Sequence, residues 1–124
     1  MQAFKTAVEQ LDLDSAAALL ADDVEFHSPV AFKPFTGKEA VTEVLRAVMD
    51  TFEDFVYTDE LEKNEFSTLF FDARVGEKKL QGVDILRLND NGKIAHFTVM
   101  LRPLSGVIAM AEAMGPKVAH LAKE

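Results

Sequence analysis

The chain has no cysteine and no tryptophan, and only one tyrosine and four prolines in 124 residues. Without cysteine there is neither a disulfide framework nor a thiolate metal site, and the composition fits a reducing, cytoplasmic setting. Cations are scarce as well. Thirteen Lys and Arg against 21 Asp and Glu leave a net charge of −8, which opposes binding to a nucleic-acid backbone or to an anionic membrane face. No apolar run is long enough to span a bilayer, and the opening MQAFKTAVEQLDLD lacks the apolar centre of a signal peptide. His27, His96 and His120 show none of the local spacings of a zinc site, so no metal and no cofactor is expected. A phosphate-cradling glycine loop and a G-x-S-x-G elbow are also missing. With no repeat, linker or biased tract, residues 1–124 are expected to form a single domain.

What is present in excess is phenylalanine, ten of the eleven aromatics. These rings need no hydrogen-bond partner, so they suit an ordinary core or the lining of an apolar cavity. The best-specified stretch is Lys79–Pro103, two runs of β-branched and large apolar residues flanking Asn91-Gly92. That pair predicts a hairpin with a type I′ turn. Phe4, Val8 and Leu11, then Leu13, Ala16, Ala17 and Leu20, recur at helical spacing, with Asp14 available as a cap and Asp22-Asp23 as a stop. Val24–Ser28 alternates as a strand up to Pro29, and a loop to Gly37 follows. Thr36 and Glu39 form a capping box before a third helix carrying Val41, Val44, Leu45, Val48, Met49 and Phe52. Phe55–Lys63 is expected as an edge strand and Glu65–Val75 as its neighbour. After Pro103, Ser105 is placed to cap a helix that Gly115-Pro116 breaks or restarts, with a last turn of helix in KVAHLAKE.

Helices followed by a run of antiparallel strands is an α+β order, with helices gathered on one side of a sheet. Strand parity then sorts the hairpin. Leu80, Gly82, Asp84, Leu86 and Leu88 share one face of its first strand. In its second strand Ala95, Phe97, Val99 and Leu101 oppose Ile94, His96, Thr98, Met100 and Arg102. The outer set His96, Thr98, Met100 and Arg102 suits a homodimer interface better than plain solvent exposure, its alternative.

The strings LLADDVEFHSPV, FTGKEAV and GVDILRLNDNGKIAHF, in this order, resemble the NTF2-like superfamily and, within it, SnoaL-like proteins, which include polyketide cyclases and relatives of ketosteroid isomerase. The resemblance implies a cone-shaped α+β barrel of three N-terminal helices on a curved, mainly antiparallel sheet with a C-terminal helix. It also implies an apolar pocket at the open end and a dimer through the outer sheet face. Ketosteroid isomerases carry a general-base Asp before the first-strand proline, a Tyr on the first helix and a hairpin-strand Asp. By position these fall on Ser28, Phe4 and Asp84, and only Asp84 matches.

Asp84 is the leading catalytic candidate, because a carboxyl on a dry cavity face would stay protonated and donate a hydrogen bond. A structural Asp bonded to its neighbours is the alternative. His27 is the second catalytic candidate, as a base near neutral pH. Alternation sends His27 and Ser28 to opposite faces, so at most one of them enters a pocket, and a histidine packed beside Glu25 is the plainer reading. The expected ligand-binding set is Ser28, Phe32, Phe35, Phe52, Tyr57, Phe71, Leu86, Phe97, Val99 and Leu101, with ordinary core as the alternative for most of the rings. Met110 and Met114 suit either a flexible cover or helix packing. The expected function is a domain that binds a small apolar molecule, performing isomerisation, cyclisation or hydration without a cofactor if it is an enzyme. A non-catalytic ligand-binding or protein-interaction module, and a purely structural dimer, are the rival readings.

Overall fold

The computed structural model describes residues 1–121. Six strands form one curved, unclosed sheet in the order β2-β1-β6-β5-β4-β3. The strands are β1 (Leu20–His27), β2 (Phe35–Thr36), β3 (Glu53–Lys63), β4 (Phe66–Val75), β5 (Lys78–Leu88) and β6 (Ile94–Arg102). β1 runs parallel to β6, and every other neighbouring pair is antiparallel. Register breaks in β1/β6, β3/β4 and β5/β6 bend the strands, as inserted residues do, and curl the sheet around the helices. The helices are α1 (Gln2–Glu9), α2 (Leu13–Ala17), α3 (Lys38–Thr51) and α4 (Leu104–Val118), and a 3₁₀ turn covers Ala119–Leu121. The expected helical turn in KVAHLAKE divides between α4 and that turn, and its residues 122–124 lie outside the described residues. Among the described residues no helix is long and apolar enough to cross a membrane.

Several local expectations need correction. Asp12, not Asp14, caps α2: its Oδ1 accepts the Ser15 amide at 3.1 Å and its Oδ2 the Ser15 hydroxyl at 2.6 Å. Leu20 and Asp22-Asp23 belong to β1, because pairing with β6 begins at Leu20. The capping box does not form. Thr36 is held in the ladder opposite Glu25, and Gly37 takes the cap position at φ +97°, a conformation that glycine adopts without strain. The hairpin turn is not type I′ either. Gly92 alone is left-handed, at φ +76°; its amide bonds to the Asn89 carbonyl, and Asn89 Oδ1 takes the amides of Asn91 and Lys93. This is a longer loop ending in a glycine bulge. Because Leu88 pairs with Ile94 while Arg87 pairs with His96, Ile94 crosses to the inner face and is fully buried, against simple parity.

Pro103, not Ser105, opens α4, and the helix runs straight through Gly115-Pro116. Pro116 removes the amide that would bond the Glu112 carbonyl, and both residues lie on the exposed side of the helix, where water can reach that carbonyl. Lys117 Nζ holds that turn to α3 through Thr51 Oγ1 at 2.8 Å. At its other end α4 approaches β5 closely at Gly106. A Cβ there would lie 2.8 Å from Leu80 Cβ and 3.2 Å from the Lys79 carbonyl. Gly106→Ala is therefore expected to destabilise by roughly 1–3 kcal/mol, overpacking outweighing the gain in helix propensity. Urea denaturation checks this, and an unchanged or higher midpoint would contradict the close approach.

Two apolar clusters form inside the curl. One, beneath α1 and α3, includes Phe4, Leu20, Val24, Phe26, Val41, Leu69, Leu86, Ile94 and Phe97. The other, beneath α4, joins Phe71, Ala73, Leu80, Met110 and Met114.

Candidate functional site

Between these two clusters lies a cavity of about 250 Å³. Both clusters contribute to its wall: Phe4, Phe26 and Phe97 from the first, and Phe71, Met110 and Met114 from the second. Val48, Tyr57, Val99 and Val118 pack against both clusters and join them around this space. Leu11 and Val30, 67 % and 54 % exposed, stand at its rim. The volume falls just below the ~300–1,000 Å³ of pockets that enclose drug-sized ligands. A compact molecule, or one end of a longer one, matches it.

Polarity in this cavity is concentrated on Asp84 and Tyr57. Parity on β5 turns Asp84 inward with Leu80 and Leu86, and the residue is 6 % exposed. Burial raises its pKa from 3.8 to about 7, the hydrogen bond from Tyr57 pulling weakly the other way. Tyr57 arrives from β3, two strands across the sheet from β5, and donates its hydroxyl to Asp84 Oδ2 at 3.4 Å. Its own pKa is pushed up, by burial first and then by the neighbouring carboxyl charge, so it remains a donor. Gly82 is part of the same construction. A Cβ there would come 2.3 Å from Phe71 Cζ, so the missing side chain lets the Phe71 ring lie over β5. Phe55 stacks on Phe71 at 4.7 Å and meets Tyr57 edge-on at 4.9 Å, which fixes the phenol beside the acid.

Of the residues expected from sequence, Ser28, Phe35, Phe52, Tyr57, Phe71, Phe97, Val99 and Leu101 do line the cavity with Asp84. Ser28 is committed locally: its hydroxyl accepts the amides of Val30 and Ala31 at 3.2 and 3.0 Å and shapes the loop at the rim. Three of the expected residues lie off this cavity. His27 does not line the cavity. Val24 and Phe26 face the core, so alternation directs His27 to the other side of β1, with Nε2 3.4 Å from Glu25 Oε1. There it cannot exchange a proton with a molecule held beside Asp84. Phe32 is fully exposed, because its loop runs outward from β1. Leu86 is fully buried in the first cluster, behind the wall rather than on it. The α3 residues Val44, Leu45 and Val48, by contrast, were not expected at the site and line it. Their helical period marked them as apolar-facing but not what they face. His96, Met100 and Arg102 lie exposed on the outer sheet face, Met100 being 55 % exposed, and Thr98 is partly covered. His120 lies on the surface, 3.5 Å from Glu43.

The family model of the SnoaL-like domain matches residues 1–97. Among solved structures, a steroid delta-isomerase from Pseudomonas aeruginosa is 40 % identical over 93 % of this chain and 85 % of its own, with a TM-score of 0.88. An uncharacterized protein with a cystatin-like fold from Silicibacter pomeroyi DSS-3 is 35 % identical over 95 % of this chain and 84 % of its own, with a TM-score of 0.91. A protein of unknown function from Xanthomonas campestris, 23 % identical over 88 % of this chain and 92 % of its own with a TM-score of 0.71, shares the fold. No match was found among curated proteins.

Proposed function

Because this chain belongs to the SnoaL-like domain family, we propose that its cavity binds a small, mainly apolar molecule bearing one hydrogen-bond acceptor, and that Asp84 moves a proton on it. One observation carries the reading: Asp84 is the only carboxyl among the described residues lining the cavity, and burial holds its pKa at about 7. A group that is half-ionised near neutral pH serves equally as acid and base. Isomerisation is the reaction class that asks least of it. Ionised Asp84 takes a proton from carbon next to a carbonyl, and the neutral acid returns it at the other end of the conjugated system, so no atom is gained or lost. Tyr57 donates to Asp84 while it is charged. Cyclisation and hydration use the same acid, the latter with water as co-substrate. The 40 % identity to a steroid delta-isomerase supports this class. The position matching that family's usual base is Ser28, so the proton chemistry falls to Asp84 alone.

A thermal-shift screen of apolar ketones, including steroid, terpenoid and polyketide fragments, followed by turnover assays on the hits, tests the proposal. Binders are expected to raise the melting temperature. Asp84→Asn should keep binding and lose at least about 10²-fold in turnover, and Tyr57→Phe should lose less. If Asp84→Asn turns over like the wild type, the proton role is wrong. If no apolar compound stabilises the protein, the ligand site is wrong as well. The absence of a second carboxyl or imidazole from the described lining favours one rival, binding without turnover. Hits that stabilise but are never converted by the wild type would select it.

A further inference from the structure

Glu25 and His27 leave β1 on the side of the sheet opposite the cavity, two residues apart and therefore on one face. On the adjacent parallel strand His96 has its Cα in register with that of Glu25. The three side chains converge. His27 Nε2 lies 3.4 Å and His96 Nδ1 3.9 Å from the same carboxylate oxygen, Glu25 Oε1, and one ligating atom from each residue falls within 4.8 Å of the other two. We propose that Glu25, His27 and His96 form a binding site for a divalent first-row transition ion of the zinc type, separate from the cavity on the opposite sheet face.

Geometry and donor chemistry both support this. A tetrahedral ion with bonds of about 2.0–2.2 Å holds its ligand atoms roughly 3.3–3.6 Å apart. One observed separation already matches, and the others close by side-chain rotations of about an ångström, with no movement of the strands. The backbone positions are set by neighbouring strands of one ladder, which is firmer support than a loop provides. Two imidazoles and one carboxylate are a donor set for Zn²⁺, Co²⁺, Ni²⁺ or Cu²⁺, whereas Mg²⁺ and Ca²⁺ take oxygen ligands. All three side chains are half-exposed, so the remaining coordination positions open to water. The local spacings that announce a zinc motif are missing because the third ligand comes from a strand about seventy positions later in the chain, through the β1/β6 pairing.

The test uses the untagged full chain. ZnCl₂ and CoCl₂ titrations, followed by calorimetry, cobalt ligand-field absorption and melting temperature, should give one ion per chain and a rise in melting temperature. MgCl₂ should give neither. His27→Ala and His96→Ala should each weaken binding at least about tenfold, and Glu25→Gln should weaken it too, because a ligand atom is removed or neutralised. Being on the surface, these variants are expected to melt like the wild type without metal. His120→Ala should bind normally, which separates this cluster from the surface histidine beside Glu43. No zinc-dependent stabilisation up to millimolar metal, an equal response to magnesium, or full binding by the His27→Ala/His96→Ala double variant would each overturn the site.

Discussion

Raising the pH from about 4 to about 8 is expected to remove folding stability on the order of 4 kcal/mol through Asp84, and Asp84→Asn should abolish that loss. In the unfolded chain this carboxyl ionises near its ordinary value of 3.8, whereas in the fold burial holds the proton until about pH 7. Below 3.8 both states are protonated and the group is neutral toward folding. Between 3.8 and about 7 the folded state binds more protons than the unfolded state, so stability falls as pH rises. Above about 7 both states are ionised, and the fold carries the whole penalty of a buried charge. At about 1.4 kcal/mol per pH unit, that interval gives the stated figure. Asparagine has nearly the same shape, accepts the same Tyr57 hydroxyl and carries no charge. The variant should therefore be the more stable protein at about pH 8 and lie close to the wild type at about pH 4. Ion pairs elsewhere, such as Lys5 with Glu60, are the same in both proteins and cancel in the difference. Urea unfolding of both across this range checks it, and two parallel curves would mean that Asp84 is not desolvated.

Phe97→Ala should lower stability by roughly 3–5 kcal/mol, a large share of the ~5–15 kcal/mol that holds a domain of this kind together. The Phe97 ring is 2 % exposed and sits 5.0 Å from Phe26 and 5.4 Å from Phe4, the latter edge-on. It is thus the common support of β1 and α1. One side already borders the cavity, so truncation enlarges an existing space instead of opening an isolated void. That places the expected value toward the lower end of the range. The denaturant midpoint should fall with an unchanged slope, and amides of α1 should exchange faster as Phe4 loses its seat. A loss under about 1 kcal/mol would show that the three-ring cluster is not the anchor of the first helix.

Both effects depend on side chains whose inward direction was legible before any coordinates. Parity on the hairpin strand places Asp84 with Leu80 and Leu86, and alternation on β1 sends His27 and Ser28 to opposite faces, as observed. The imidazole of His27 suits a pocket chemically, but burial of Val24 and Phe26 on the other parity turns it to the opposite face of β1. The partner of Asp84 was harder to identify. Tyr57 is 27 residues away in the chain, and the two meet only because β3, β4 and β5 are aligned in a particular register, with an irregularity between Tyr57 and Asp59. The position of the ketosteroid-isomerase tyrosine falls on the first helix, where Phe4 has no hydroxyl to offer. Cap and turn details failed for a related reason. Thr36 had a suitable side chain, but pairing with Glu25 claimed it for the sheet and left Gly37 to start the helix.

By itself the sequence determined the elements and their faces: the amphipathic α3, the hairpin strands, the edge position of β3 and the inward acid. These depend on periods of 2.0 and 3.6 residues, which neighbours along the chain set locally. Only the tertiary structure decided which inward groups meet. The pairing of Tyr57 with Asp84, the open space between two cores and the gathering of Glu25, His27 and His96 all require strand registers and bulges. Those are selected by packing across the sheet, between residues that no local pattern connects.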